Sequence, residues 1–221
     1  MTELEARIMK FPSSKYNNIV PLKAISGHFA TNHSHINYFI DLTTIKSRAS
    51  EAKAVAREFA QQYMVDTVVD TIVCLDGTRV IGSFLADELT EAGVMCMNQH
   101  GTIYVISPEQ VGENQCIFRD NLASMVKGKN CLLLMASATT GVSIEHGVEC
   151  VEYYGGKVAG ISSLFSNLDK IRVNGTLYKI NTLFTPDDIP NYASYPRKDC
   201  PYCKKGIPIE ALVNSFGYSK L

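Results

Sequence analysis

The sequence predicts an α/β protein built on a central, mainly parallel sheet flanked by helices. Between about Ser47 and Leu164, strand-like apolar runs alternate with windows of helical spacing, the order that crossover connections produce. Twice, a buried-strand run passes through a tight turn of small residues directly into a helix. The 221 residues, 46% apolar and 19% charged, suffice for one sizeable core and exclude a disordered tail, a collagen-like fibre or a disulfide mini-protein.

Taken in order, Ala52, Val55, Ala56, Phe59, Ala60 and Tyr63 keep the spacing of an amphipathic helix, with Ser47 or Ser50 as its N-cap. Thr67–Leu75 reads as a strand, Asp76-Gly77-Thr78 as a turn, and Val80–Ala92 as a helix carrying Ile81, Phe84, Leu85 and Leu89. Cys131–Met135 is a second buried run, followed by the small, hydroxylated Ala136–Ser143. Ile144, Val148 and Val151 then mark a helix ended by Gly155-Gly156, and Val158–Leu164 supplies another interior strand. Asn174-Gly175 reads as a hairpin turn between Lys170–Val173 and Leu177–Phe184, before a tail rich in Pro, Tyr and Asn.

Twenty-one Lys and Arg against twenty-two Asp and Glu leave a formal charge of −1, so no field of one sign draws the chain to nucleic acid or a membrane surface. Seven cysteines, mostly in apolar runs, fit a reducing compartment. The first ten residues lack the apolar segment of a signal peptide, and no aliphatic stretch approaches a membrane span. The expectation is a cytoplasmic protein with a small-molecule ligand.

That ligand belongs at the carboxyl edge of the sheet, where strand-to-helix turns collect. Ala138, Thr139, Thr140, Gly141, Val142 and Ser143 place small residues and hydroxyls where a helix opens, and such a turn offers N–H and O–H donors to a phosphate. The plainer reading is a tight turn with Ser143 as a helix cap. Both stand on composition alone.

Strand, Thr139-Thr140-Gly141, Ser143 and helix together resemble the 5′-phosphate loop of the type I phosphoribosyltransferases, and the orotate branch is the nearest. Gly27-His28-Phe29, followed by Asn32 to His35 and Tyr38, is similar to that branch's N-terminal signature, shorter by a residue or two between Phe29 and Tyr38. Asp76, Gly77, Thr78 and Arg79 stand at its pyrophosphate loop, and Cys200 to Ile209 is similar to the ending of a subset of its members. The resemblance implies a type I phosphoribosyltransferase-like fold in one domain: residues 1–45 as a small N-terminal hood, 46–165 as the core sheet and 166–221 as a C-terminal extension. It also implies a homodimer and a Mg²⁺-assisted displacement of pyrophosphate from phosphoribosyl pyrophosphate (PRPP) by a nitrogenous base.

Three departures weigh on that implied activity. Met135 and Ala136 occupy the two positions where the family carries acidic residues that hold the ribose hydroxyls. Ile106 to Glu113, at the flexible loop, contains no cation, and none appears before Arg119. Val142 replaces a glycine the family often doubles, which crowds the backbone approach. The expected function is therefore binding of a ribose-5-phosphate ligand, PRPP or a nucleotide monophosphate, at 138–143, with weak or lost catalysis and a binding or regulatory role. The alternative is an active phosphoribosyltransferase.

Other candidates divide between two readings each. Arg79 either grips a phosphate through its guanidinium fork or makes a helix-surface ion pair. Asp76 either holds Mg²⁺ through water or caps the following helix. Tyr38 and Phe39 are base-side candidates, with core packing as the alternative. Cys200-x-x-Cys203 has the form of half a zinc site and needs Cys or His from elsewhere to complete it; otherwise it is a turn with two reduced thiols. His28, His33 and His35 cluster near the N-terminus; a His-x-His pair in a strand puts both imidazoles on one face, within reach of a metal or a phosphate, against polar contact near the site entrance or a structural or surface role, while His100 and His146 say less.

Overall fold

The computed structural model describes residues 4–16, 20–32, 34–91, 98, 102–112 and 115–221. The chain divides into two compact units, Met1–Thr44 with Phe184–Leu221, and Ile45–Leu183. The divisions thus fall at 44/45 and 183/184, not at 45/46 and 165/166, and the tail beyond Phe184 groups with the N-terminal segment.

The unit built from the chain ends is a sheet. It contains β1 (Ile8–Phe11), β2 (Leu22–Ala30) and β3 (Ser34–Asp41), and from the far end β12 (Ser194–Pro196), β13 (Ala211–Asn214) and β14 (Gly217–Lys220). The order is β12-β3-β2-β13-β14, with β1 also on β2. β2 and β3 pair antiparallel with a register shift between Ser26 and Phe29, and β13 joins β2 in parallel through Ala211↔Phe29. Ile25, Phe29, Ile36, Phe39, Ala211 and Val213 form its apolar core. Phe39 is 5% exposed, and its ring packs against Phe29 and Tyr218 at 6.2 and 5.7 Å between centroids. Burial of that kind commits Phe39 to packing and removes it from the base-side candidates.

The second unit holds α2 (Ala49–Gln61), β4 (Thr71–Cys74), α3 (Arg79–Glu91), β5 (Tyr104–Ile106), β6 (Glu109–Val111), β7 (Gln115–Ile117), α4 (Asp120–Ala123), β8 (Asn130–Ala138), α5 (Val142–Tyr153), β9 (Lys157–Ser166), β10 (Lys170–Val173) and β11 (Thr176–Phe184). Its sheet runs β10-β11-β9-β8-β4-β5, and the pairs β9/β8, β8/β4 and β4/β5 are parallel, as the alternating pattern requires. β6 and β7 make a separate antiparallel pair. The hairpin β10/β11 turns at Asn174 and Gly175, both with positive φ, the conformation that Asn-Gly turns supply. Leu132, Leu133, Leu134 and Met135 on β8 are all fully buried, which explains the unbroken apolar run: a central parallel strand is covered on both faces.

Three local expectations need correction. Neither Ser47 nor Ser50 caps α2: the N-cap is Arg48, in extended conformation and without a side-chain bond, while Ser47 closes the short α1 (Thr43–Ser47). The first strand is shorter than Thr67–Leu75 because the buried Asn98 side chain takes the Val69 N–H at 2.6 Å and the Thr67 carbonyl at 3.0 Å, so these groups serve no ladder. The second strand is longer, since Ser137 and Ala138 pair with Phe165 and Ser166. Among the described residues, no helix is long and apolar enough to cross a membrane.

Candidate functional site

The turn between β8 and α5 takes its shape from Gly141. Its φ of 91° lies in the left-handed region, and a Cβ there would stand 2.5 Å from Ile171 Cδ1 and 3.2 Å from Leu168 Cδ1. Only glycine fits on both counts. Leu168 is held in turn by Ser166, whose hydroxyl donates to the Leu168 carbonyl at 2.8 Å and accepts its N–H at 3.0 Å. The 166–171 segment, absent from the candidates read in the sequence, is therefore the buttress of the loop.

Ala138 is the last strand residue, 2% exposed, and its carbonyl accepts the Asn167 N–H at 2.9 Å; it forms the loop's floor and presents no side chain. Thr139, Thr140 and Ser143 are exposed, and their hydroxyls have no hydrogen-bond partner among the described residues. Gly141 is the N-cap of α5 with no side-chain cap, and the Val142 and Ser143 amides meet no protein acceptor among the described residues. The reading of Ser143 as a cap therefore lapses. Uncapped amides at the positive end of a 12-residue helix have the chemistry that suits an anion.

The second turn, between β4 and α3, is strained and braced. Asp76 and Gly77 have φ of 54° and 77°. Thr78 is fully buried, and its hydroxyl donates to the carbonyls of Leu75 at 2.8 Å and Leu134 at 3.0 Å. That hydroxyl belongs to the scaffold, not to a ligand. Lys46, 9% exposed, donates from Nζ to the Asp76 carbonyl at 2.9 Å and brings a buried positive charge to this turn. The sequence reading missed it, since Leu42-Thr43-Thr44-Ile45 ahead of the lysine carries no pattern that marks its burial. Arg79 is exposed as the first residue of α3, with no salt bridge among the described residues. A cation at the positive end of a helix is unfavourable unless an anion joins it.

Beyond β5 the chain offers acids. Arg119 forks onto Glu109 through Nε–Oε2 at 2.7 Å and Nη2–Oε1 at 2.8 Å, so the first cation after Val105 is already matched. The bonded guanidinium holds the Glu109 carboxyl below its usual range. Burial pushes the Cys74, Cys131 and Cys150 thiols up to about 12, which leaves them protonated packing groups.

In the chain-ends unit, Tyr38 is half-buried, edge-on to Phe11 at 6.4 Å. His28 and His35 meet Cys200 and Cys203, so the Cys-x-x-Cys half-site does find two histidines. Burial, followed by His28 and Arg197, lowers the His35 pKa. His33 and His100 lie outside the described residues, and His146 lies on α5.

No protein-family model matches the chain. It is 26% identical over 188 residues to the orotate phosphoribosyltransferase of Pelotomaculum thermopropionicum, covering 83% of this chain and 87% of that enzyme. It is 25% identical over 189 residues to the orotate phosphoribosyltransferase of Chlorobium phaeobacteroides, covering 85% and 87%. Among solved structures, Leishmania donovani UMP synthase superposes with a TM-score of 0.51 at 16% identity, over 73% of this chain and 33% of that one. The chain is a relative of the orotate phosphoribosyltransferases and has the type I phosphoribosyltransferase fold.

The β8–α5 and β4–α3 turns are the two that the sequence resemblance assigns to the phosphate and pyrophosphate loops of that fold. Met135 and Ala136, the positions where the resemblance puts the family's acidic pair, are both fully buried and apolar. The chain thus has no carboxylates at these positions to orient a Mg²⁺-bound ribose, and the donor set does not fit that ion.

Proposed function

We propose that this orotate phosphoribosyltransferase-like chain binds a ribose-5-phosphate ligand, PRPP or a nucleotide monophosphate, at Thr139–Ser143, with weak or lost displacement of pyrophosphate and a binding or regulatory role. The observation that carries the reading is the contrast within one strand-turn-helix. Amides and hydroxyls stand open at the mouth of α5, while the positions that would hold the ribose are a buried methionine and alanine. A phosphate dianion there gains several N–H and O–H bonds and the favourable end of the helix dipole.

Release of pyrophosphate asks for more. Negative charge grows on the leaving group, and one missing donor in such a site costs about 10²–10³ in rate. Glu109 holding Arg119 leaves that loop without an unmatched cation among the described residues. Lys46 and Arg79 at the β4–α3 turn remain the positive charges near it.

The second reading, an active phosphoribosyltransferase, is favoured by alignment across 87% of an enzyme's length and by Lys46 at the β4–α3 turn. One experiment separates the two. Melting temperature is followed with PRPP, nucleoside monophosphates and orotate, with and without Mg²⁺, beside an assay of pyrophosphate release. A shift with a phosphorylated ribose and no release is the expected result. Release with orotate at ordinary enzyme rates hands the case to the transferase, and no shift with any phosphorylated ribose removes both.

A further inference from the structure

The most complete cluster of metal-binding side chains in the described residues lies away from the phosphate turn, in the unit made from the two chain ends. His28 is on β2 and His35 on β3, adjacent strands, and their rings meet with Nε2 of His28 3.2 Å from Nδ1 of His35. Cys200 stands immediately before the short α6 (Pro201–Lys204), whose first residue, Pro201, fixes the turn, and Cys203 follows three residues later. Cys200 Sγ lies 3.4 Å and Cys203 Sγ 3.7 Å from His28 Nε2, and Cys203 Sγ lies 3.3 Å from His35 Nδ1. All four donor atoms fall within 4.8 Å of one another.

We propose that His28, His35, Cys200 and Cys203 bind one zinc ion as a closed, structural site that fastens the C-terminal tail to the N-terminal sheet. A tetrahedral ion with Zn–S near 2.3 Å and Zn–N near 2.0 Å holds its ligand atoms roughly 3.3–3.8 Å apart. Four of the six donor separations, at 3.2, 3.4, 3.7 and 3.3 Å, fall in or beside that range.

Proton bookkeeping points the same way. Nδ1 of His28 faces two backbone carbonyls, Ile207 at 2.9 Å and Pro208 at 3.1 Å, which only accept, so Nδ1 carries the proton and Nε2 presents its lone pair. Three heavy atoms converge on that single lone pair, more than one hydrogen bond can use, whereas a cation among them engages every donor. A ring nitrogen bonded to backbone carbonyls is also the outer-shell arrangement that orients a metal-bound histidine. Tyr202 stacks on the His28 ring at 5.2 Å and 23°, and Glu210 Oε1 accepts the His28 backbone N–H at 3.1 Å, so both the ring and the main chain that carries it are held.

Burial decides between an adventitious and a built site. Cys200 is fully buried, His28 1% and His35 7% exposed, with Cys203 alone at the surface. Two thiolates balance the charge of the ion, so the buried centre is neutral. With four protein donors no coordination position remains for substrate, which makes the role structural; two sulfurs and two nitrogens suit zinc over Mg²⁺ or Ca²⁺. The bridge closes a span of 172 residues between His28 and Cys200, and its binding energy is folding energy for the unit it closes.

The full chain, purified without chelator from zinc-supplemented culture, is expected to carry one equivalent of zinc by elemental analysis. Exchange for Co²⁺ should give the intense visible bands of tetrahedral, thiolate-bound cobalt. Cys203→Ser, at the exposed position, should weaken zinc at least as much as loss of an outer-shell partner does, about 10–100-fold by chelator competition. Should that variant fail to fold, stoichiometry and the cobalt spectrum of the unaltered chain still decide. Substoichiometric zinc with no cobalt bands overturns the proposal, as does a Cys200–Cys203 disulfide found by mass in freshly purified chain. Thr140→Val should keep its zinc whatever it does to phosphate ligands.

Discussion

Thr78 and Thr140 read alike in sequence, each a hydroxyl in a turn between strand and helix, yet burial gives them opposite duties. The Thr78 hydroxyl ties Leu75 to Leu134, but both carbonyls also accept a backbone N–H, from Thr78 at 3.1 Å and Leu75 at 2.8 Å. Thr78→Val therefore strips no carbonyl bare, and its cost belongs at the low end for a buried hydrogen bond, about 1 kcal/mol. Thr140 is exposed, so Thr140→Val should leave stability within about 0.5 kcal/mol while abolishing the melting shift given by a phosphorylated ribose. Urea unfolding and the ligand panel on both variants check the pair; a Thr140→Val protein that keeps its ligand shift places the phosphate elsewhere. The sequence marked both hydroxyls as candidates because composition carries no burial, and Lys46 escaped notice for the same reason.

At the scale of elements, the parallel strands were legible because each is a short apolar run bounded by turn residues, and Asn174-Gly175 named its own hairpin. Their ends were not, since Asn98, some thirty residues away, decides where β4 begins. The fate of the acidic pair also belongs to an element. Met135 sits on β8 in an apolar cluster with Val73, Leu133, Ile144 and Val148. An acid cannot simply be introduced there. Met135→Asp should lose several kcal/mol or fail to fold, because an unpaired buried carboxylate has no donor, whereas Met135→Leu should stay within about 1.5 kcal/mol. Denaturant melts compare the two. An Asp variant as stable as the Leu one would mean that this strand end opens to water, and the argument from burial against ribose-holding acids would fall with it.

For the molecule, the chain order conceals the partition. Residues 1–44 and 184–221 make one unit although the whole second unit lies between them in sequence, and each half supplies strands that the other half pairs: Ala211 with Phe29, Tyr195 with His35. Period and turn signals find strands but not such distant partners, so the tail read as an extension of the core. A unit made of two distant segments bears a larger closure cost than one made of neighbours, though the cost grows only slowly with length. A metal at His28, His35, Cys200 and Cys203 offsets that cost in one unit and not in the other, whose apolar core around Val73, Leu133 and Val148 is its own. Removing zinc with a strong chelator should therefore raise amide hydrogen exchange in β2, β3, β12 and β13 by tenfold or more, while β4, β8 and β9 keep their protection. Exchange that rises equally in both units would show one cooperative body and deny the ion its local role; exchange unchanged everywhere would show that hydrogen bonds and the Phe29–Phe39 core hold the chain ends together without it.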